Sequence, residues 1–311
     1  MTDSTDKVRI LSLDGGGAKG FYTLGVLREV EAMMGGGPLS DHFRLIFGTS
    51  TGSIIASLLA LGYKVNDIYE LYSEHVPRIT KPRYPGLKTH ALRLLADDVF
   101  EDKKFDVFKT GIGIVTTKWM IERPMIFKAN IDQAHGRKAS FVAGFGCTVS
   151  DAVQASCSAY PFFDRKIVIT GAGDRVELVD GGYCANNPTL YAIADATVAL
   201  QTPPNKLRVL SIGVGTYPVP VPSLFSKMRW AKYLLSVQLL QKTLEINTQS
   251  MDQLRVILFK HIDTIRISDT FEQPEMATDL FEHDMNKLNL LRQRGVESFA
   301  RNEVALRTQL L

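Results

Sequence analysis

The first 62 residues repeat one pattern of apolar and polar positions twice. Residues 8–13 (VRILSL) form a short apolar run that ends in glycines, and apolar residues then recur at helical spacing from Leu24 to Met34. Residues 42–47 form a second apolar run that ends at a glycine, and residues 53–61 follow as an almost continuous apolar stretch. Each unit therefore predicts a strand, a glycine turn and a helix.

Prolines and basic residues interrupt this pattern next. Asn66 or Asp67 can cap a helix that reaches His75. Residues 77–89 contain three prolines and several basic residues, which predicts a surface loop.

The middle of the chain contains further elements of both kinds. The predicted strands are residues 112–119, 125–130, 167–170, 176–179 and 207–214, of which 167–170 and 176–179 form a hairpin. The predicted helices are a small-residue helix that starts at Ser150 and ends before Pro161, and residues 189–200. Strands that alternate with helices predict an α/β sheet.

The pattern becomes helical from Leu224 onward. Long amphipathic stretches cover about 226–260 and 285–308, with one short strand candidate at 264–268 between them. We predict a single domain over residues 1–311, with a core at about 8–216 and a helical extension at about 222–311.

Composition is typical of a globular enzyme. The 311 residues are 45% hydrophobic and 22% charged, with a formal net charge of +3. This mild positive charge favours an anionic membrane surface but does not indicate a nucleic-acid polymer as partner.

Cysteine usage and the N-terminus predict a cytoplasmic location. Cys147, Cys157 and Cys184 are odd in number and include no C-x-x-C pair, which argues against a disulfide framework and a structural zinc site. The N-terminus lacks the basic start and apolar run of a secretory signal. The longest apolar stretch, 54–63, is about half of a bilayer-spanning helix, so we expect any membrane contact to be peripheral, at the inner surface.

The sequence GTSTG at 48–52 matches the G-x-S-x-G elbow, in which a sharp strand-to-helix turn lifts a serine hydroxyl clear of the sheet. An apolar strand enters this motif and an apolar helix leaves it, as an elbow requires. Ser50 is therefore a candidate nucleophile, and Gly48 and Gly52 leave room for the turn. The alternative is a glycine-flanked turn whose serine only caps the helix.

A histidine base for Ser50 has little support. Of the six histidines, only His261 and His283 lie late in the chain, and both fall in helical segments. Asp180 instead ends a predicted strand and precedes Gly181 and Gly182, and a partly buried carboxylate can accept a serine proton. The alternative is an ordinary Asp-Gly-Gly turn.

A glycine loop, DGGGAKG at 14–20, also matches the dinucleotide motif G-x-G-x-x-G. A nicotinamide-dependent oxidoreductase is therefore the main alternative, although the acidic residue expected about 20 positions later is missing. A P-loop is excluded because Gly20 follows Lys19. The backbone amides of such a loop can instead stabilise an oxyanion.

These three motifs, together with ASCSAYPFF at 155–163 and LSIGVGT at 210–216, resemble the patatin-like phospholipases. The resemblance implies a three-layer α/β sandwich with a central, mostly parallel sheet. It also implies hydrolysis of lipid esters through an acyl-enzyme without metal or cofactor, as in a phospholipase A or lysophospholipase. The implied catalytic residues are Ser50 and Asp180, the oxyanion donors are Gly15, Gly16 and Gly17, and the supporting residues are Lys19, Gly48, Gly52, Gly181 and Gly182. Lys19 stands where the family more often has arginine.

Compact bacterial members of that family include effectors of defence against phage, which a cyclic dinucleotide activates and which then degrade the cell's own phospholipids. The size and unmatched tail of this chain are similar to that subgroup. The resemblance leaves a homo-oligomer open, and a catalytically idle binding or storage protein on the same scaffold is a further alternative.

Two segments combine basic with apolar residues and are candidates for contact with an anionic bilayer. They are residues 77–85 and residues 224–233, and the second contains Phe225 and Trp230. The alternatives are a solvated loop for the first and a core-facing helix for the second.

Overall fold

Eight strands form one sheet in the computed structural model, which describes residues 7–218 and 224–311, with side chains from residue 235 onward in the second range. The strands are β1 (Val8–Leu13), β2 (Leu45–Thr49), β3 (Gly111–Lys118), β4 (Arg123–Lys128), β5 (Lys166–Ile169), β6 (Arg175–Asp180), β7 (Leu207–Ile212) and β8 (Asp263–Ile267). Their order is β5-β6-β3-β2-β1-β7-β8, and β4 pairs with β3 outside this path. The central pairs from β3 to β8 are parallel, whereas β4, β5 and β6 are antiparallel to their neighbours.

Helices cover both faces of this sheet. They are α1 (Gly20–Met33), α2 (Thr51–Leu61), α3 (Val65–Thr80), α4 (Pro85–Phe100), α5 (Val149–Ser156), α6 (Gly182–Ala185), α7 (Thr189–Ala194), α8 (Leu224–Leu258) and α9 (Met285–Leu310). Side chains alternate between the faces of a strand, so that Leu11 lies in the larger core and Ile10 in a smaller one with Ala192 and Ile193 of α7. The predicted three-layer, mostly parallel α/β sandwich is confirmed.

The predicted loop at 77–89 is wrong. Helix α3 continues through Pro77 to Thr80, and α4 begins at Pro85, so only residues 81–84 connect the two helices. Pro77 lies in the last turn of its helix, where burial of Val76 and Ile79 offsets the lost backbone hydrogen bond. Pro85 occupies the first turn of α4, where the missing N–H has no helical partner to lose.

The strand predicted at 42–47 begins later than its apolar pattern suggests. Residues Leu39–Asp41 form a 3₁₀ turn, and β2 starts at Leu45. Phe43 precedes the strand but is buried in the larger core, so the apolar run in the sequence begins before β2 does.

The C-terminal residues complete the sheet. Strand β8 pairs in parallel with β7 at one edge, and α9 packs against α1. Leu306 and Leu310 are fully buried, and the Arg9 guanidinium donates to the Leu310 carbonyl over 2.8 Å. Within the described part of the chain, no helix is both long and apolar enough to cross a membrane.

Candidate active site

Ser50 lies in the turn that connects β2 to α2. Its backbone adopts φ 52° and ψ −125°, a left-handed conformation that is rare for a residue with a side chain. A Cβ on Gly48 would lie 2.2 Å from the Gly52 carbonyl oxygen, and one on Gly52 would lie 2.4 Å from the Leu13 carbonyl oxygen. Neither position has room for a residue other than glycine. This close packing of the backbone holds the serine above the end of the strand.

The Ser50 hydroxyl donates a hydrogen bond of 2.6 Å to Oδ2 of Asp180. Asp180 is the last residue of β6, and its other oxygen accepts the Gly182 N–H at 2.7 Å. Strand β3 brings the two side chains together, because its Val115 pairs with Thr49 and its Thr116 pairs with Asp180.

Burial makes Asp180 an unusually basic carboxylate. The residue is 1% exposed, and this desolvation raises its pKa to about 6, although the hydrogen bonds from Ser50 and Gly182 lower it in part. At neutral pH the group is still ionised. It can therefore accept a proton, and it binds that proton more tightly than an exposed aspartate would.

The glycine loop lies against Ser50, but its three amides differ. The Gly15 N–H donates to the Asn186 carbonyl at 3.0 Å, so that amide is already engaged. Among the described residues, no acceptor receives the amides of Gly16 and Gly17, and both residues line the pocket at Ser50. Gly17 has φ +59°, a conformation that favours glycine.

The same loop has little room for a dinucleotide. Ala18 donates its amide to the Leu280 carbonyl at 3.0 Å, and a Cβ on Gly17 would lie 2.4 Å from that carbonyl oxygen. The start of the helix, where a pyrophosphate would bind, is thus covered by the chain itself.

Two side chains that the sequence analysis did not single out hold the turn and the loop. The Ser156 hydroxyl accepts the Ser50 amide at 2.9 Å and donates to the Val115 carbonyl at 2.6 Å. The Asn186 carboxamide donates to the Gly15 carbonyl at 3.1 Å. Ser156 lies within the segment 155–163, and Asn186 lies shortly after Gly182. Serine and asparagine are too common in proteins for the position of either residue to predict these contacts.

A buried ion pair anchors the start of the glycine loop. Both Asp14 oxygens accept from the guanidinium of Arg266, which also donates to the Ser211 hydroxyl at 2.8 Å. Arg266 belongs to β8, so the far C-terminal strand positions the loop.

Two further supporting residues, Lys19 and Gly181, are packed closely against neighbouring groups. Lys19 is buried, which lowers its pKa, and its ammonium lies 6.0 Å from the Tyr217 ring centroid. The Gly181 amide donates to the Ser156 carbonyl at 3.3 Å, and a Cβ on Gly181 would lie 2.1 Å from the Val115 oxygen.

A mainly apolar pocket opens beside Ser50 and Asp180. Its apolar lining includes Ile54, Val76, Ile79, Leu92, Phe163, Leu244, Leu280 and Phe281. None of the six histidines, all of which are described, lines it. In the described part of the chain, no group of three or more His, Cys, Asp or Glu side chains is arranged to hold a metal ion.

Phe281 covers one side of this pocket. The Lys88 ammonium lies 3.5 Å from its ring centroid and donates to the Thr80 carbonyl at 3.0 Å. Burial lowers the pKa of Lys88 to about 8.

The chain is similar to known lipid hydrolases. The profile of the patatin-like phospholipases matches residues 11–193. A "cUMP-AMP-activated phospholipase" of Escherichia coli is 66% identical over 303 residues, which cover 97% of this chain and 94% of that protein. A "cGAMP-activated phospholipase" of Escherichia coli (strain TW11681) is 27% identical over 73% of this chain and 68% of that protein.

A solved structure also matches the fold. The crystal structure of VipD from Legionella pneumophila superposes with a TM-score of 0.51 and 13% identity, covering 98% of this chain and 67% of that one.

Proposed function

The chain belongs to the patatin-like phospholipase family, and we propose that it hydrolyses acyl esters of membrane phospholipids through Ser50 and Asp180. The observation that carries this proposal is the hydrogen bond of 2.6 Å between the two side chains beside an apolar pocket. A serine next to a desolvated carboxylate is an activated nucleophile, and the pocket suits a fatty acyl chain.

The reaction proceeds in two steps. Ser50 Oγ attacks the ester carbonyl carbon while its proton passes to Asp180, and the amides of Gly16 and Gly17 donate to the oxyanion that forms. The tetrahedral intermediate collapses, and the departing alcohol takes the proton from Asp180. Water then attacks the acyl-enzyme with Asp180 again as base, which releases the fatty acid and restores the serine.

We further propose that a cyclic dinucleotide activates the enzyme. The relative at 66% identity is named as cUMP-AMP-activated, and its match covers nearly the whole of both chains. More distant relatives are named as cGAMP-activated. A role in defence against phage stays a prediction.

Fatty acid release from phospholipid vesicles tests this function. We expect release by the purified chain when cUMP-AMP or cGAMP is present and little release without nucleotide. A chelator should leave the rate unchanged, because the proposed steps use no metal. No release with either nucleotide, at any vesicle composition, would contradict the proposal.

A hairpin tip next to the site is the proposed membrane contact. Trp119, Met120 and Ile121 connect β3 to β4 and are 39%, 76% and 56% exposed. Strand β3 runs parallel to β2 and continues past Val115, which pairs with Thr49. The hairpin tip therefore projects from the same end of the strands as Ser50. Exposed apolar residues at such a place fit a lipid surface.

The surroundings of the tip also suit a bilayer. The Trp119 ring lies 5.4 Å from that of Tyr160, and Arg165 lies 5.3 Å from the centroid of each ring. Tyr160 follows Ala159, which lines the active-site pocket. Aromatic rings with a guanidinium at the mouth of a site are typical of the interface between headgroups and acyl chains.

Of the two segments that combine basic with apolar residues, the structure describes the side chains of the first. In residues 77–85, Ile79 is buried and Tyr84 is exposed, so this segment offers one ring rather than an apolar face. The side chains of residues 224–233, including Phe225 and Trp230, lie outside the described residues.

Replacing both Met120 and Ile121 with serine tests the hairpin contact. We expect vesicle binding in a sedimentation assay to weaken by about tenfold or more, since two apolar side chains lose burial in lipid. Hydrolysis of a short, water-soluble ester should stay unchanged. Val304→Ser is the matched control, because Val304 is 82% exposed on α9, away from the hairpin. Equal weakening by the control, or unchanged binding by the double variant, would contradict the contact.

A further inference from the structure

A second pocket, of about 480 Å³, lies beside β4 and takes no part in the proposed hydrolysis. The charged, hydroxyl, imidazole and aromatic side chains that line it include those of Lys128, His135, Arg137, Ser140, Phe141 and Phe145. We propose that this pocket binds the activating cyclic dinucleotide, with the cations on its phosphodiesters and the phenyl rings against its bases. The inference rests on the proposed function and specifies where its activator binds.

The charges in the pocket favour a dianion. The Arg137 guanidinium is exposed and, within residues 7–218 and 224–311, pairs with no acidic side chain. Lys128 and His135 share one carboxylate, Asp195, at 2.5 and 2.6 Å. The two fixed cations, Lys128 and Arg137, therefore outnumber this carboxylate, and a guanidinium that pairs with no described acidic side chain is well suited to a phosphodiester.

The ring of Phe145 is held in a position that suits stacking. Phe145 adopts φ 54°, and it is 40% exposed although its ring contacts that of Phe127 at 5.5 Å, edge to face. A phenylalanine in a left-handed conformation that leaves its ring half exposed is a feature found at ligand clamps. Aromatic faces bind nucleobases by stacking, which accommodates bases of different identity.

Strand β3 connects this pocket to the active site. Its Thr116 hydroxyl donates to the Met125 carbonyl of β4 at 2.7 Å, and its Thr117 hydroxyl donates to the Asp180 carbonyl at 3.0 Å. The Val115 carbonyl of the same strand accepts from Ser156, which in turn holds the Ser50 amide. A ligand that shifts β4 therefore acts on a strand that contacts Asp180 directly and Ser50 through Ser156.

A larger pocket lies at the starts of β1 and β2, at the opposite end of these strands from Ser50. It also carries cations, among them Arg44 and Lys109. It offers no exposed phenyl ring, since its Phe43 is 1% exposed. Its lining suits an inorganic anion better than a nucleobase, which makes Arg44 a useful control.

Direct binding to a Ser50→Ala protein tests the site without any dependence on hydrolysis. The probes are cUMP-AMP and cGAMP, measured by isothermal titration calorimetry. We expect at least one probe to bind, and Arg137→Ala and Phe145→Ala in this background each to weaken binding by about tenfold or more. Arg44→Ala, which removes a half-exposed cation from the other pocket, should bind as the parent does. Thermal unfolding of each variant shows that the fold is kept.

Three outcomes would overturn the site: neither probe binds, Arg137→Ala and Phe145→Ala bind as tightly as the parent, or only Arg44→Ala weakens binding. Failure of the proposed function looks different. A chain with intact Ser50 that binds the nucleotide through Arg137 but releases no fatty acid would contradict the hydrolase and leave the nucleotide site standing.

Discussion

Replacing Ser50 with alanine should lower the rate of ester hydrolysis by a factor on the order of 10⁵ or more, because the attacking oxygen is removed. The fold should be kept, since the hydroxyl donates only to Asp180 and the turn is held by Gly48, Gly52 and the Ser156 hydroxyl. The measurement is fatty acid release at saturating nucleotide, together with labelling by a fluorophosphonate probe. Wild type should be labelled at Ser50 and the variant should not.

Ser57→Ala is the matched control for this experiment. Ser57 lies in the same helix, α2, and its hydroxyl is buried without a hydrogen-bond partner in the described structure. The same chemical change there should leave the rate and the labelling intact. Labelling that persists in Ser50→Ala would place the nucleophile elsewhere, and a wild type that is never labelled would favour a catalytically idle protein on this scaffold.

The site could be anticipated from the sequence where local geometry demands particular residues. The elbow needs glycine at positions 48 and 52 because neighbouring carbonyl oxygens leave no room for a Cβ, so the pattern is visible in the residue types themselves. Asp180 is predicted in the same way, as an acidic residue at a strand end followed by two glycines.

Contacts between distant segments left no such local signal. Arg266 holds Asp14 across 252 positions, and nothing in the spacing of either residue indicates the pair. The three loop glycines are equivalent in the sequence, but the fold assigns the Gly15 amide to Asn186, whereas the amides of Gly16 and Gly17 meet no acceptor among the described residues. Proline likewise predicted a loop at Pro77, where burial of neighbouring side chains was the stronger effect.

Replacing Asp180 with asparagine should abolish most activity and at the same time stabilise the fold at neutral pH. The asparagine oxygen can accept the Gly182 N–H while its amide group donates to the Ser50 hydroxyl, but asparagine cannot take the serine proton, so we expect a rate loss on the order of 10⁴. In wild type, the ionised carboxylate must be present, so kcat/KM should fall as the pH drops through about 6.

The gain in stability follows from the raised pKa. The folded protein binds the Asp180 proton with a pKa of about 6, against 3.8 for the ordinary group, so the ionised form destabilises the fold. That destabilisation is fully present above pH 6, where the shift corresponds to about 3 kcal/mol, and it declines as the pH falls toward 3.8. Asp180→Asn should therefore raise the free energy of unfolding by up to about 3 kcal/mol at pH 8 and by only about 1 kcal/mol at pH 4.5.

Urea unfolding of wild type and variant at the two pH values measures this difference. Asp132→Asn is the matched control, because that carboxylate is half exposed and its nearest cations lie 3.7 and 3.8 Å away, so its loss should change stability little at either pH. A variant that is destabilised equally at pH 8 and pH 4.5 would mean that the carboxylate of Asp180 serves the fold. An increase that is larger at pH 8 than at pH 4.5 would mean that the protein keeps a destabilising charge at this position because the reaction requires a base there.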